Sequence, residues 1–407
     1  MKNISYWLAS ASIPPRPPLS RDLKVDVLVV GAGITGTTSA YLLRKAGLTV
    51  ALVERERVAT IDTGHTTAHL THVTDVRLSE LEKNFGSDHA QAAWDAGAAA
   101  IDLIESITRD EQIDCEFTRV PGYLHVPADS HTEKERSKLQ DDAALAAKLG
   151  FDAEYLEAVP HFGLPGVRFA NQGEFHPRKY IAGLVAAIDR DGGHVFEGSA
   201  AGEFDGEKRR VKVNGHWIEF GRVMIATHNP LLGLSGIAGA TLFQTKLALY
   251  SSYAIGARIP RGAMPLALYW DTKEPYDYWR VHRYDEDSDY VIFGGEDHKT
   301  GQVEQTNECF ARLRAKFQES MPEGRVEHRW TGQVIETDDG LPFIGENAEH
   351  QFTGTGFAGN GMTFGTVTAM MAGDWATGAK NPWSELFAVD RKKIKGAAWD
   401  YLRENKD

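Results

Sequence analysis

The chain has 407 residues, of which 42% are hydrophobic and 25% charged, and its formal net charge is −13. That length fits two or three core-bearing units of roughly 100–200 residues each, and 40 Gly with 16 Pro exclude a collagen-like or wholly disordered chain. The acidic balance offers no basic face for nucleic acid or anionic lipid, so neither is expected as a partner.

Cys115 and Cys309 are the sequence's two cysteines, too few for a disulfide framework or a thiolate cluster, and a reducing, cytoplasmic location is expected. Pro14, Pro15, Pro17 and Pro18 interrupt the apolar start before a signal-peptide core can form, so residues 1–24 are predicted as an extended arm. No run of about 18 apolar residues predicts a membrane span.

Residues 25–30 (VDVLVV) read as a strand buried on both faces. The turn Gly31-Ala-Gly33-Ile-Thr-Gly36 follows, then a helix to residue 46 capped by Gly47, then a strand over 49–53 closing on Glu54. This is a right-handed βαβ unit. Helices are predicted over 79–113, 131–148, 178–190, 305–318 and 363–377, with strands at 122–126, 193–197 and 222–227. Residues 241–293 are rich in Tyr and Trp in alternating pattern, which predicts an antiparallel sheet. A turn is expected at Asp339-Gly340.

Each glycine of the first turn has a physical task. Gly31 permits the turn, Gly33 lets backbone approach a pyrophosphate, and Gly36 lets the helix pack close to the sheet. The helix start offers free amides and a positive dipole end to phosphates. Glu54, 23 residues after Gly31, stands where a carboxylate can accept ribose hydroxyls. The pattern predicts a dinucleotide site without separating FAD from NAD.

Four segments carry a resemblance that makes this separation: the glycine turn with Glu54, the loop Gly64-His-Thr-Thr-Ala-His-Leu-Thr71, the strand ending Ile225-Ala-Thr227, and the pair Asp339-Gly-Leu-Pro-Phe-Ile-Gly345 with Gly356-Phe-Ala-Gly-Asn-Gly-Met362. Over residues 25–387 the chain resembles the FAD-dependent oxidoreductases of the D-amino-acid oxidase, glycine oxidase and sarcosine oxidase superfamily. It is most similar to a bacterial branch with a stretch like Gly294-Gly-Glu-Asp-His298, many of whose members carry a Rieske domain. Cys115 and Cys309 lack the paired histidines that a Rieske centre needs, so electrons are expected to pass to oxygen or a separate carrier.

The resemblance implies an α/β fold: a Rossmann-like, glutathione-reductase-type parallel-sheet FAD domain (25–78 with 152–240 and 325–387) interleaved with an α+β antiparallel-sheet substrate domain (79–151 with 241–324), then a tail at 388–407. It places the pyrophosphate at Gly31, Gly33, Ile34, Thr35 and Gly36, the adenosine end at Glu54 and Arg55 with Ala201 against adenine, and Thr227 among the residues that bind the cofactor. The ribityl chain and flavin edge fall to Thr63, Gly64, Thr66, Thr67 and Ala68, and the flavin pyrimidine to Gly359, Asn360, Gly361, Met362 and Thr363. It implies oxidation of the C–H beside an amine nitrogen, the alternatives being a hydroxy-acid or polyol-phosphate dehydrogenase and a flavoprotein subunit of an electron-transfer complex.

Relatives that oxidise amino acids hold the substrate carboxylate with an arginine at the position occupied here by Val334, beside Gln333. Arg280 is a candidate replacement, weighed against a surface ion pair. Tyr253 and Tyr269, with Tyr250 and Trp270, are candidates for an aromatic cage around an amine cation, weighed against sheet packing. His65, His69 and His72 lack the spacing and co-ligands of a metal site, and none is expected. Some relatives attach FAD through a histidine of this loop; the matching position holds Thr66, so non-covalent FAD is expected. Arg391, Lys392, Lys393 and Lys395 form a basic tail with no assigned partner.

Overall fold

The computed structural model describes residues 1–127, 132–229, 233 and 246–391. The basic run at Lys392, Lys393 and Lys395 and residues 241–245 of the aromatic stretch lie outside the described residues. Among the described residues the strands form two sheets.

The first sheet runs in the order Phe343–Ala348, Gln351–Thr355, His216–Ile225, Leu23–Val30, Val50–Val53, His194–Phe196, and the last five of these are mutually parallel. Val27 and Val29 enter one core and Leu28 and Val30 another, which is why this strand reads as an unbroken apolar run. Val30 lies opposite both Val53 and Ile225, so three strands end at one level. Open parallel sheets bind ligands outside those carboxyl ends. The helix Ile34–Lys45 covers one face and packs against Pro177–Arg190 and Gly361–Thr377.

The second sheet runs Arg325–Thr337, Leu247–Pro260, Ser288–Lys299, Tyr278–Arg283, Leu268–Asp271, Thr118–His125, Gly166–Glu174, Ala153–Leu156. It is antiparallel except where Leu268–Asp271 lies beside Thr118–His125. Phe310, Leu313 and Phe317 of the helix Thr306–Ser320 pack on one face against Tyr253, Tyr269 and Trp279.

Three expectations are corrected. The strands Ala153–Leu156, Gly166–Glu174 and Arg325–Thr337 belong to the second sheet, so residues 152 and 325 do not separate the sheets; Arg325–Thr337 pairs along nearly all of Leu247–Pro260, a partnership set by long-range register. The helix expected over 79–113 is two, Leu78–Phe85 and Ser87–Asp110, parted at Gly86 with φ +85°. The N-terminal arm is not simply extended. Tyr6–Ser10 form a short helix capped by the Ser5 hydroxyl, and Trp7 is 0% exposed.

Candidate active site

A cavity of about 790 Å³ opens at the carboxyl ends of the parallel strands and continues between the two sheets. This lies in the upper part of the size range of small-molecule and cofactor sites, about 300–1,000 Å³. Gly31, Gly33, Ile34 and Thr35 line one end. Gly31 has φ +101°, and a Cβ there would stand 2.5 Å from the Ala226 carbonyl oxygen. A Cβ on Gly36 would fall 1.8 Å from the Gly31 carbonyl oxygen, so Gly36 sets the helix against the turn from behind the cavity wall. The cradle thus exists because side chains are missing from it.

Glu54, 8% exposed, ends the second parallel strand. One of its oxygens accepts the Ala32 amide at 2.8 Å and the other the Glu56 amide at 2.9 Å, which fixes the carboxylate at the cavity wall. Arg55, Ala201 and Thr227 line the same end. These residues match an adenosine and pyrophosphate in chemistry: amides and a helix start for phosphate, a fixed carboxylate for ribose hydroxyls.

The segment 62–68, a short helix to His65 and the loop after it, carries Thr63, Thr66 and Thr67 on the wall. Its carbonyls are tied from outside. The Ser5 hydroxyl donates to Gly64, Trp330 Nε1 to His65 at 2.8 Å, Trp7 Nε1 to Thr66 at 2.7 Å, and Arg280 to Ala68 at 3.0 Å. Gly64 and Ala68 therefore stand behind the lining, Ala68 at φ +56°. On the opposite wall Gly359, Asn360, Gly361 and Met362 open the helix Gly361–Thr377 into the cavity. Asn360 accepts the Asp75 amide at 3.3 Å and donates to the Val73 carbonyl at 2.9 Å. Thr363 is turned inward, its hydroxyl donating to the Thr71 carbonyl at 2.7 Å.

The three substrate-site candidates do not line the cavity. Arg280, 2% exposed, donates to the carbonyls of Ala68 and Phe175, approaches Glu174 at 3.9 Å and lies over the Trp7 ring at 4.9 Å. It is a buried brace for the loop, neither a clamp nor a surface pair. Tyr253 packs edge-on against Phe310, and Tyr269 stacks on Tyr123 with its hydroxyl on the Pro265 carbonyl. Strand alternation explains the miss: Ser252, Ala254, Trp270 and Tyr278 face the cavity, and the intervening Tyr253, Tyr269 and Trp279 face the helix behind.

The other end of the cavity is lined by Tyr276, Tyr278, Trp270, Asp75, Asp297 and Val334, together with Gln333 and Glu336. The stretch at Gly294 has a structural reason: a Cβ on Gly294 would overlap the Tyr278 ring at 2.3 Å, one on Gly295 would meet Asp277 at 2.3 Å, and Glu296 has φ +61°. The strand can then carry Asp297 to the wall. Asp75 accepts the Gly359 amide and, at 3.2 Å, the Tyr276 hydroxyl. The side chain of Asp75 is open to the cavity yet lies deep in the protein, and desolvation raises its carboxyl above the ordinary range. Desolvation pushes Asp297 up to about 7, against a hydrogen bond from Ser252 and with the Asp75 charge adding to the rise.

The loop histidines go separate ways. His65 Nδ1 bonds the Ile61 carbonyl, His72 lies against Gln172, and His69 Nε2 lies 3.1 Å from the Trp279 carbonyl. Burial and then Arg280 push His69 down to about 3, so it is a neutral ring. Cys115 and Cys309 are buried and unpaired. Among the described residues no helix is long and apolar enough to cross a membrane.

A Bacillus subtilis protein named as a putative Rieske 2Fe-2S iron-sulfur protein is 29% identical, over 99% of this chain and 78% of its own length. The gamma-glutamylputrescine oxidoreductase of Escherichia coli is 23% identical, over 88% of this chain and 85% of its own. Glycine oxidase from Geobacillus kaustophilus has a similar fold, with a TM-score of 0.75 at 15% identity, over 91% of this chain and 99% of that one. The profile of the family described as DAO, FAD dependent oxidoreductase, matches residues 26–375. With its glycine cradle, fixed Glu54 and glycine-rich helix start on one cavity, the chain belongs to that family of FAD-dependent oxidoreductases.

Proposed function

We propose that this oxidoreductase acts on amines, removing a hydride from the carbon next to nitrogen and passing the electrons to oxygen or a separate carrier. The observation that supports this best is the cavity's far end, where Tyr276, Tyr278 and Trp270 stand with Asp75 and Asp297, surroundings that favour an ammonium cation. The arginines that line the cavity, Arg55 and Arg57, lie beside Glu54, at the end assigned to adenosine. Among the described residues that line the cavity, no arginine or lysine stands at the substrate end to anchor a hydroxy acid or polyol phosphate.

FAD, when bound, would supply the two-electron acceptor, and the resulting substrate imine would be hydrolysed by water to a carbonyl compound and ammonia, or an amine where the nitrogen is substituted. The chain's own residues do the rest. Gly31 to Thr35 and Glu54 hold the nucleotide half, Thr66 and Thr67 the middle, and Gly359 to Met362 the pyrimidine edge, where a helix start favours negative charge. Tyr276 and Tyr278 wall the reacting carbon from water. An amine gives up a hydride only as its free base. Asp75, its carboxyl raised by burial and seated beside Gly359, is placed to take the ammonium proton. Nothing in this scheme attaches FAD covalently.

Reconstitution with FAD followed by anaerobic mixing with amines, amino acids and hydroxy acids tests the reading. Amines should bleach the flavin's visible absorbance. Bleaching by hydroxy acids alone would overturn it.

A further inference from the structure

Resting on the amine-oxidising reading, we propose that the substrate is a diamine or polyamine without a carboxylate: the reacting nitrogen lies at Asp75, and a second ammonium is held by Asp297 against the Tyr276 and Tyr278 rings. Asp75 and Asp297 differ from the acids around them. Asp277 is paired with Lys316 at 2.9 Å, and Glu296 with Lys316 at 3.0 Å and Arg312 at 2.6 Å. Among the described residues no cation pairs with Asp75 or Asp297. Both line the same end of the cavity, and the charge of Asp75 raises the Asp297 carboxyl, so each additional negative charge there carries a cost. A dication meets both charges; a monoamine leaves one unmet. An α-amino acid would bring its own carboxylate to this end, where Val334 stands in place of an arginine.

Unfilled acceptors at the same wall support this. Asp297 Oδ1 is shielded from solvent and has no hydrogen-bond partner. The Ser252 hydroxyl, 2.7 Å from the Tyr278 hydroxyl, stands beside the Asp297 carboxylate and favours its charged form. His69 donates through Nε2 to the Trp279 carbonyl, which leaves the buried Nδ1 as a lone pair without a donor. A ligand that brings several N–H donors satisfies these groups. The faces of Tyr276, Tyr278 and Trp270 suit the methylenes between the charges.

The test uses FAD-loaded protein under anaerobic conditions with butane-1,4-diamine, spermidine, butylamine, N-acetylbutane-1,4-diamine and glycine, following flavin absorbance. The two polycations are expected to bind with an apparent Kd about 30-fold or more below those of butylamine and the acetylated diamine, the scale of one desolvated charge pair. Glycine should be inert. Asp297→Asn should abolish the preference and Asp297→Glu should keep much of it; if Asp297→Asn loads no FAD, Ser252→Ala should reduce the preference instead. Butylamine or glycine matching the diamine in the wild type overturns the proposal and leaves amine oxidation standing. Reduction by no amine at all removes both.

Discussion

Trp7→Ala probes how the N-terminal helix holds the cofactor loop. Trp7 is fully buried, edge-on to His176 at 4.9 Å, beneath the Arg280 guanidinium at 4.9 Å, and its Nε1 donates to the Thr66 carbonyl. Truncating a buried Trp to Ala costs about 3–5 kcal/mol, and the orphaned Thr66 carbonyl contributes to the upper end of that range. Against a total of about 5–15 kcal/mol this is a large fraction. Thr66 and Thr67 line the cavity, so release of the loop should also weaken FAD, by about 10- to 100-fold, or 1.4–2.8 kcal/mol. Urea unfolding of the FAD-free protein and FAD titration by fluorescence quenching measure the two effects. Trp7→Phe, which keeps most of the packing but not the N–H, should cost about 1–2 kcal/mol in stability and still weaken FAD. A Trp7→Ala protein within about 0.5 kcal/mol of wild type would show that the helix is not packed as described. Large destabilisation with unchanged FAD affinity would show that the loop is not held from below.

Gly36→Ala places a methyl 1.8 Å from the Gly31 carbonyl oxygen, so the protein should lose FAD uptake and at least about 3 kcal/mol of stability, read by unfolding and cofactor content. Acid precipitation of the yellow holoprotein should leave a colourless pellet, since the scheme holds FAD without a covalent bond; a yellow pellet refutes that. Diamine affinity should depend on pH. The Asp297 carboxyl, pushed up to about 7 by burial with Asp75, Asp277 and Glu296 adding to the rise and the Ser252 hydroxyl opposing it, must be ionised to hold an ammonium. Alkylammonium groups stay charged to about pH 10. Affinity should therefore rise as pH rises through about 7 and level off above it, with proton release on binding measurable in buffers of different ionisation heat. Asp297→Asn should weaken both effects, leaving only the contribution of Asp75, whose carboxyl burial also raises.

The glycine turn and Glu54 were legible in the sequence because backbone geometry writes itself into glycine spacing: Gly31 and Gly36 are required by contacts that any Cβ would violate, and Glu54 follows at the end of the next strand. The substrate end was not. Tyr253 and Tyr269 belong to the same aromatic stretch as Tyr276 and Tyr278, and only packing of the helix Thr306–Ser320 decides which face of the sheet is covered. Arg280 has the chemistry of an anion clamp, yet its guanidinium is spent on the carbonyls of Ala68 and Phe175. Asp297 sat within a stretch noted for resemblance alone; its place on the cavity wall depends on Gly294 making room for the Tyr278 ring. The N-terminal helix is five residues long, with a proline run beginning four residues after it, and forms because Trp7 finds a buried place between elements far away in sequence.

The most direct measurement of the central claim is a crystal structure of the FAD-loaded, reduced protein with butane-1,4-diamine. The account expects pyrophosphate at the turn and helix start Gly31 to Thr35, the flavin pyrimidine against Gly359 to Met362, and the diamine alongside the Tyr276 and Tyr278 rings with its far nitrogen on Asp297. FAD outside the glycine cradle, or the diamine bound away from Asp75 and Asp297, would contradict it.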